Sequence, residues 1–334
     1  MKSKKIVTIG GGSGQYSLLR GLRDIDGIDI TAVVSMVDSG GSTGRLRDEL
    51  GILPPGDLLK CILALSPYQD TVRTIFLKRF ENDRRLRGHN AGNMLLTMLS
   101  RFTGSFPAGV QALGEILDVQ GSVLPVTVDK ATLVAELTDG SRIYGERAID
   151  TPRGNQREKI RDVWLVPHHS DSICVFPPVI DAIQRADYII IGPGDLFTSI
   201  LPNFLVSGVK EALLTCHACI LYVLNIMTKY GETHRFRSRD FVTRLEASLG
   251  KKIDAALYNT CKPDEAVLER YQRQKAEFVN IDTTDDWWCG RMVYAADLLD
   301  VTGGIVRHDS CKLADLVRTI VWPARKQPDG GKAP

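Results

Sequence analysis

The chain opens with a short β-branched run, Lys4 to Ile9, that ends in five small residues and then meets leucines at helical spacing, Leu18, Leu19 and Leu22. That pattern predicts strand, glycine turn, helix, the way a nucleotide-binding α/β unit begins. A second run, Ile28 to Val37, stops at Asp38 and another glycine cluster. Two successive strands whose carboxyl ends are both marked by glycine predict a parallel sheet with its ligand crevice at those ends. From Asp57 to Phe106 apolar residues recur at three-and-four spacing, which predicts helices covering one sheet face.

The pattern then changes to alternation of apolar and polar residues, with Asp139-Gly140 as a hairpin signal, so residues 125–167 read as a small antiparallel insertion. Its tail, TPRGNQREKIRDV, is charged and lacks an apolar stripe, and reads as a solvated loop. Buried-strand runs resume in ADYIIIGPGD, CILYVLNIMT and IDAALYNT, and a last helix is predicted from Lys312 to Val321. One α/β domain follows, with a discontinuous core of residues 1–124 and 168–325, the insertion at 125–167 and a disordered polar tail at 326–334.

Charge narrows the function classes. Forty-two basic residues nearly cancel forty acidic ones, which argues against a nucleic-acid partner or an anionic membrane and makes any phosphate recognition local. The first apolar run stops at glycines far short of a signal-peptide core or a spanning helix, so neither export nor membrane insertion is expected. Seven cysteines lack the spacing of a disulfide framework, which fits a reducing cytoplasm.

Several constellations offer chemistry. Gly10, Gly11, Gly12, Ser13 and Gly14 follow the first strand, where missing side chains let backbone N–H groups and a helix N-terminus approach an anion. Gln15 stands where a dinucleotide fingerprint needs its third glycine, which disfavours a nicotinamide-dependent oxidoreductase. After the second strand, Asp38, Ser39, Gly40, Gly41, Ser42, Thr43 and Arg45 crowd together an acid, hydroxyls and a cation suited to phosphate or a metal. Asp57 either shares a Mg²⁺ with Asp38 or caps the helix beginning at Leu58. Asn90 and Asn93 introduce an apolar helix and can point amides at a ligand, while His89 is an acid–base candidate or a structural residue. Gly192, Gly194, Asp195, Thr198 and Ser199 repeat the strand-end arrangement, either as a phosphate or ribose pocket or as a helix-starting turn, and Asn225 holds the same place on the next strand. Cys216-His217-Ala218-Cys219 lacks a second ligand pair, and no GxSxG, HExxH or GxxxxGK[ST] motif is present. No catalytic residue is assigned.

Together the blocks IGGGSGQYSLLRGL, VVSMVDSGGSTGRLR, PPGDLLKC, GHNAGNMLL, IGPGDLFTSILPN, NIMTKYGET and VRHD resemble the bacterial gluconeogenesis-factor family, related to the CofD-type 2-phospho-L-lactate transferases, from about residue 5 to 310. The resemblance implies a Rossmann-like, mostly parallel sheet flanked by helices, commonly in a homodimer. It implies a regulatory protein that binds UDP-N-acetylglucosamine, acts through a protein partner, and links carbon supply to cell-wall precursor synthesis and cell shape. Tyr271 and Arg307 are carried over as nucleotide-sugar contacts, a ring to stack on uracil and a guanidinium to clamp diphosphate; the alternatives are a helix-face aromatic and a surface ion pair. The transferase branch implies instead a Mg²⁺-dependent reaction on a guanosine diphosphate-linked lactate. Two departures bear on that choice: the family's paired aspartates are Asp38-Ser39 here, which removes a carboxylate from the metal site, and its MTxPGET is Met227-Thr228-Lys229-Tyr230-Gly231-Glu232-Thr233, which removes a proline.

Overall fold

The computed structural model describes residues 3–82, 86–152, 157–281 and 286–323. Seven strands form one parallel sheet: β1 (Lys4–Gly10), β2 (Ile28–Val34), β3 (Ser122–Pro125), and, after the insertion, β7 (Tyr188–Ile191), β8 (Cys219–Val223), β9 (Ala255–Asn259) and β10 (Met292–Ala296). The insertion contributes a separate antiparallel sheet of β4 (Ala131–Leu137), β5 (Arg142–Tyr144) and β6 (Ile160–Pro167), and a short hairpin pairs β11 (Leu299–Asp300) with β12 (Arg307–His308). The spatial order of the large sheet is β10-β9-β8-β7-β1-β2-β3. This is the α/β architecture expected from the sequence: a mostly parallel sheet flanked by helices, with small antiparallel sheets beside it.

Burial explains why the central strands read as unbroken apolar runs. In β1 every residue from Ile6 to Gly10 is buried, and all five residues of β9 are too, so helices cover both faces of the sheet. The helix Gly12–Leu22 packs against both Gly56–Leu65 and Ser310–Val321, and Leu18, Leu22, Leu58, Ile62, Leu313 and Val317 of these helices are essentially inaccessible to solvent. Burying one such leucine or isoleucine contributes about 1.5–3 kcal/mol.

The structure differs from the sequence pattern in definite places. Strand β2 ends at Val34, three residues short of the apolar run, because Met36 and Val37 are buried from the loop that follows it. Pro125 pairs with Val34 at the sheet edge, and the separate antiparallel sheet begins at Ala131, with Asp139 and Gly140 turning β4 into β5. The charged segment expected to be a solvated loop is in part strand: Ile160–Val163 opens β6, where a register shift against β4 between Glu136 and Leu137 lets both Ile160 and Val163 be buried. Strand β10, the apolar run MVYAA that the sequence pattern did not single out, lies at the sheet edge with none of its residues fully buried. The polar segment 326–334 lies outside the described residues. Among the described residues all seven cysteines are free, and no helix is long and apolar enough to cross a membrane.

Candidate functional site

The chain leaves β1 toward β2 and β3, then returns to the other side of β1 as β7. The crevice at the carboxyl ends of β1 and β7 is therefore the point where strand order reverses, the usual ligand position in an open α/β sheet. The helix Gly12–Leu22 begins at once, so Gly12, Ser13 and Gly14 are its first turn rather than a loop. Gly11 precedes that turn in an extended conformation without a side-chain cap, which leaves the first N–H groups facing the crevice. Two glycines are demanded by close approach. A Cβ on Gly12 would stand 2.7 Å from the Asp57 Cα, and one on Gly14 would stand 2.9 Å from the Gly194 Cα. Asn225 donates to the Gly194 carbonyl over 2.9 Å and Asn203 donates to that of Gly10 over 3.4 Å, tying the loops after β1, β7 and β8 together.

The resulting cleft has a volume of about 840 Å³ and runs from Gly12, Gly14, Gly194 and Ser199 across to Tyr271 and Arg307. Some of the sequence candidates, from distant segments, thus line one space. Tyr271 is held by its phenol oxygen, which accepts the Val306 N–H over 2.8 Å and so fastens the helix Glu265–Arg273 to the hairpin carrying Arg307. Arg307 itself is exposed at the rim. Thr198 points elsewhere: it is buried in the π-helical turn Leu196–Ile200 and its hydroxyl donates to Glu232. Gly10 ends β1 and Gly192 carries a left-handed φ of 77° leading into the turn at Gly194.

Charge in the cleft is concentrated in two groups. In the first, Lys60 donates to Asp57 over 2.9 Å, with Asp38 and Glu146 nearby. Burial, then Asp57, raises the Asp38 carboxyl; burial, then Asp38, pushes Glu146 up to about 7. Burial alone would lower the Lys60 ammonium, but Asp57 and Asp38 outweigh it and hold it raised. Asp57 is not the helix cap: it is the second residue of the helix Gly56–Leu65, preceded by Pro55 with no side-chain cap bond, and its carboxylate faces Lys60. For a Mg²⁺ shared by Asp38 and Asp57 the donors are of the right kind, but Lys60 already neutralises Asp57, and Asp38 accepts the Gly40 N–H over 2.9 Å. A cation there has to displace those partners.

The second group surrounds Lys229. Its ammonium bonds Asp150, reaches Asp195 over 2.7 Å and lies 3.1 Å from Glu232. The three carboxylates offer oxygens within 4.8 Å of one another, a metal-like grouping whose centre the lysine serves. Glu232 is 1% exposed, and burial followed by Asp195 pushes it up to about 8 despite Lys229. Burial would lower Lys229, but Glu232, Asp195 and Asp150 raise it instead.

The remaining sequence candidates line a second, smaller cleft or tie its walls. Ser39 joins the insertion: its N–H donates to Glu146 over 3.2 Å and its hydroxyl accepts the Arg147 N–H over 3.0 Å. Gly40 caps the helix Gly41–Leu50, and Gly41, Ser42 and Thr43 form its first turn at this cleft. Ser42 lies 2.9 Å from His89 Nδ1, and burial followed by Arg45 lowers the pKa of that imidazole. Asn90 is a helix cap, accepting the Asn93 N–H over 2.8 Å, which accounts for its side-chain oxygen without a ligand. Arg45 is exposed and donates to the Arg87 carbonyl, away from the larger cleft.

Sequence reasoning missed Lys60, Glu146, Asp150, Lys229 and Glu232 as site residues. A faint signal existed: Glu146 and Asp150 share one face of the short helix Glu146–Asp150, and Lys229 and Glu232 are three apart in a strand-end turn.

Comparison with known proteins places the chain in a family and agrees with its fold. Residues 6–299 match the family model described as 2-phospho-L-lactate transferase CofD. A Thermotoga maritima relative is 42% identical over 319 residues, covering 95% of this chain and 99% of that one. The Bacillus subtilis gluconeogenesis factor is 38% identical over 314 residues, covering 94% and 96%. A Bacillus halodurans crystal structure superimposes with a TM-score of 0.88 at 34% identity, covering 95% of this chain and all of that one.

Proposed function

The chain belongs to the 2-phospho-L-lactate transferase CofD family, and from that premise we propose that it is a regulatory protein whose larger cleft binds a nucleotide sugar, UDP-N-acetylglucosamine in the first place. The observation that supports this most is the bare first turn of the helix Gly12–Leu22 facing Tyr271 and Arg307 across a single cleft. The N–H groups of that turn and the Arg307 guanidinium suit a diphosphate, and the Tyr271 ring suits a base. Asp38, Asp57 and Asp195 suit the sugar hydroxyls as acceptors. In this reading the occupied protein acts on a partner enzyme of cell-wall precursor synthesis, in the cytoplasm and as a homodimer.

A second reading, a Mg²⁺-dependent CofD-like transferase of a guanosine diphosphate-linked substrate, draws support from Asp38 and Asp57 at the cleft floor. Bound Mg²⁺ would supply charge neutralisation to a phosphoryl oxygen. Against it stands Lys60, which already neutralises Asp57.

Titration calorimetry separates the two, with UDP-N-acetylglucosamine, UDP-glucose and guanosine diphosphate each tested with and without Mg²⁺. Selective UDP-sugar binding that Arg307→Ala weakens, with no product on long incubation, is the expected result. Metal-dependent binding of guanosine diphosphate alone overturns it in favour of the transferase.

A further inference from the structure

The smaller cleft, about 480 Å³, lies beyond the carboxyl end of β2 and has a built anion end that the nucleotide-sugar reading leaves unused. The helix Gly41–Leu50 is ten residues long, and its N-cap Gly40 offers no side-chain bond. The first helical bond runs from the Gly44 N–H to the Gly40 carbonyl over 3.0 Å, so the N–H groups of Gly41, Ser42 and Thr43 lie ahead of the ladder. Arg79 closes this end: its guanidinium stands 3.7 Å from the position of a Cβ on Gly41, anchored by a 2.6 Å bond to the Gly88 carbonyl. Lys60 lines the same cleft. Leading N–H groups, a helix dipole and a fixed guanidinium together make a phosphate cradle.

The rest of the wall asks for hydrogen-bond donors. Asn93 lines this cleft and is only 2% exposed, yet its side-chain oxygen has no partner, while its amide nitrogen reaches Ser42 over 3.4 Å. A buried amide oxygen left unpaired costs about 1–3 kcal/mol, which a ligand hydroxyl would recover. Asp38 and Glu146 offer further acceptors on the wall shared with the larger cleft.

We propose that the smaller cleft is a second ligand subsite that takes the phosphomonoester of a small polyhydroxy compound. The phosphate sits over Gly41–Thr43 against Arg79, and hydroxyls donate to Asn93, Asp38 and Glu146. An inorganic anion satisfies only the first half of this wall, and an unphosphorylated sugar only the second. The subsite is inferred without regard to which ligand fills the larger cleft, although the two clefts share the wall that carries Asp38 and Glu146.

Calorimetry of the full chain with glucose 6-phosphate, glucose and inorganic phosphate tests it, with glucose 6-phosphate as the probe for the class. The expected result is one-to-one binding of glucose 6-phosphate, at least about tenfold tighter than inorganic phosphate, with glucose unbound. Arg79→Gln weakens the sugar phosphate by at least about tenfold, and Arg79→Lys by less, while UDP-N-acetylglucosamine binding stays within about twofold. Competition needs no variant: saturating UDP-N-acetylglucosamine leaves a glucose 6-phosphate site available. Absence of sugar-phosphate binding to the wild type, or its stoichiometric displacement by the UDP-sugar, overturns the subsite, as does unchanged binding to folded Arg79→Gln. Failure of UDP-sugar binding alone overturns the function proposed for the larger cleft and leaves this subsite standing.

Discussion

Gly14 and Pro193 meet backbone to backbone: a Cβ on Gly14 would stand 2.6 Å from the carbonyl carbon of Pro193. The first turn after β1 and the turn after β7 therefore touch where a side chain would separate them. Gly14→Ala must push the two loops apart, and overpacking of this kind costs about 1–3 kcal/mol. Thermal unfolding should show a lowered midpoint, and calorimetry a larger loss of UDP-sugar affinity than the loss of stability alone produces.

Lys229 holds three carboxylates, one of them the buried Glu232. Above about pH 8, where Glu232 is charged, Lys229→Met leaves those charges uncompensated, and breaking a buried pair from one side costs about 3–5 kcal/mol. Denaturant unfolding of Lys229→Met, Glu232→Gln and the double variant should show that the second change restores most of what the first removes. Additive losses would mean that the pair is not coupled.

Burial raises Glu146 to about 7 and Glu232 to about 8, both above the ordinary value of 4.5. A carboxyl whose folded pKa is raised favours folding fully below its unfolded pKa, and that contribution is lost as pH rises through the folded pKa. The wild type should therefore lose stability relative to Glu146→Gln between pH 4.5 and about 7, with the difference level above that range. Urea unfolding at a series of pH values measures it, and a difference that grows toward acid would contradict the assignment.

Tyr271 holds the Val306 N–H, and one substitution separates that bond from the ring contact proposed for it. Tyr271→Phe keeps the ring but removes the oxygen that accepts the Val306 N–H. If the tyrosine also anchors the Arg307 hairpin, UDP-N-acetylglucosamine affinity should fall about two- to tenfold, the worth of one net hydrogen bond of about 0.5–1.5 kcal/mol. Wild-type affinity in Tyr271→Phe would confine its role to the ring.

What the sequence disclosed follows from what is local. The strand-to-helix turns at Gly10–Gly14 and Gly192–Gly194 are legible because both need small residues wherever the rest of the chain goes. Strand β10 was not, since a five-residue apolar run at an edge, none of it fully buried, is too short to tell strand from helix before it pairs with β9. Asn90 keeps a double reading because capping and ligand binding call for the same residue at the same helix position: it caps its helix and also lines the smaller cleft. Glu146 and Asp150 escaped notice for a different reason: they come from the insertion, and nothing in their own segment says that it folds back over Asp38. Charged residues earn a role from their neighbours in space, which a linear pattern does not contain.

Asp38, Lys60, Glu146, Asp150 and Thr151 belong to the walls of both clefts. An occupant on either side changes the charge and protonation that the other side presents. By thermodynamic reciprocity, the factor by which the first molecule alters the affinity of the second equals the factor by which the second alters the first. With a small molecule on each side, a shared partition of this kind would make the response to one pool depend on the level of the other.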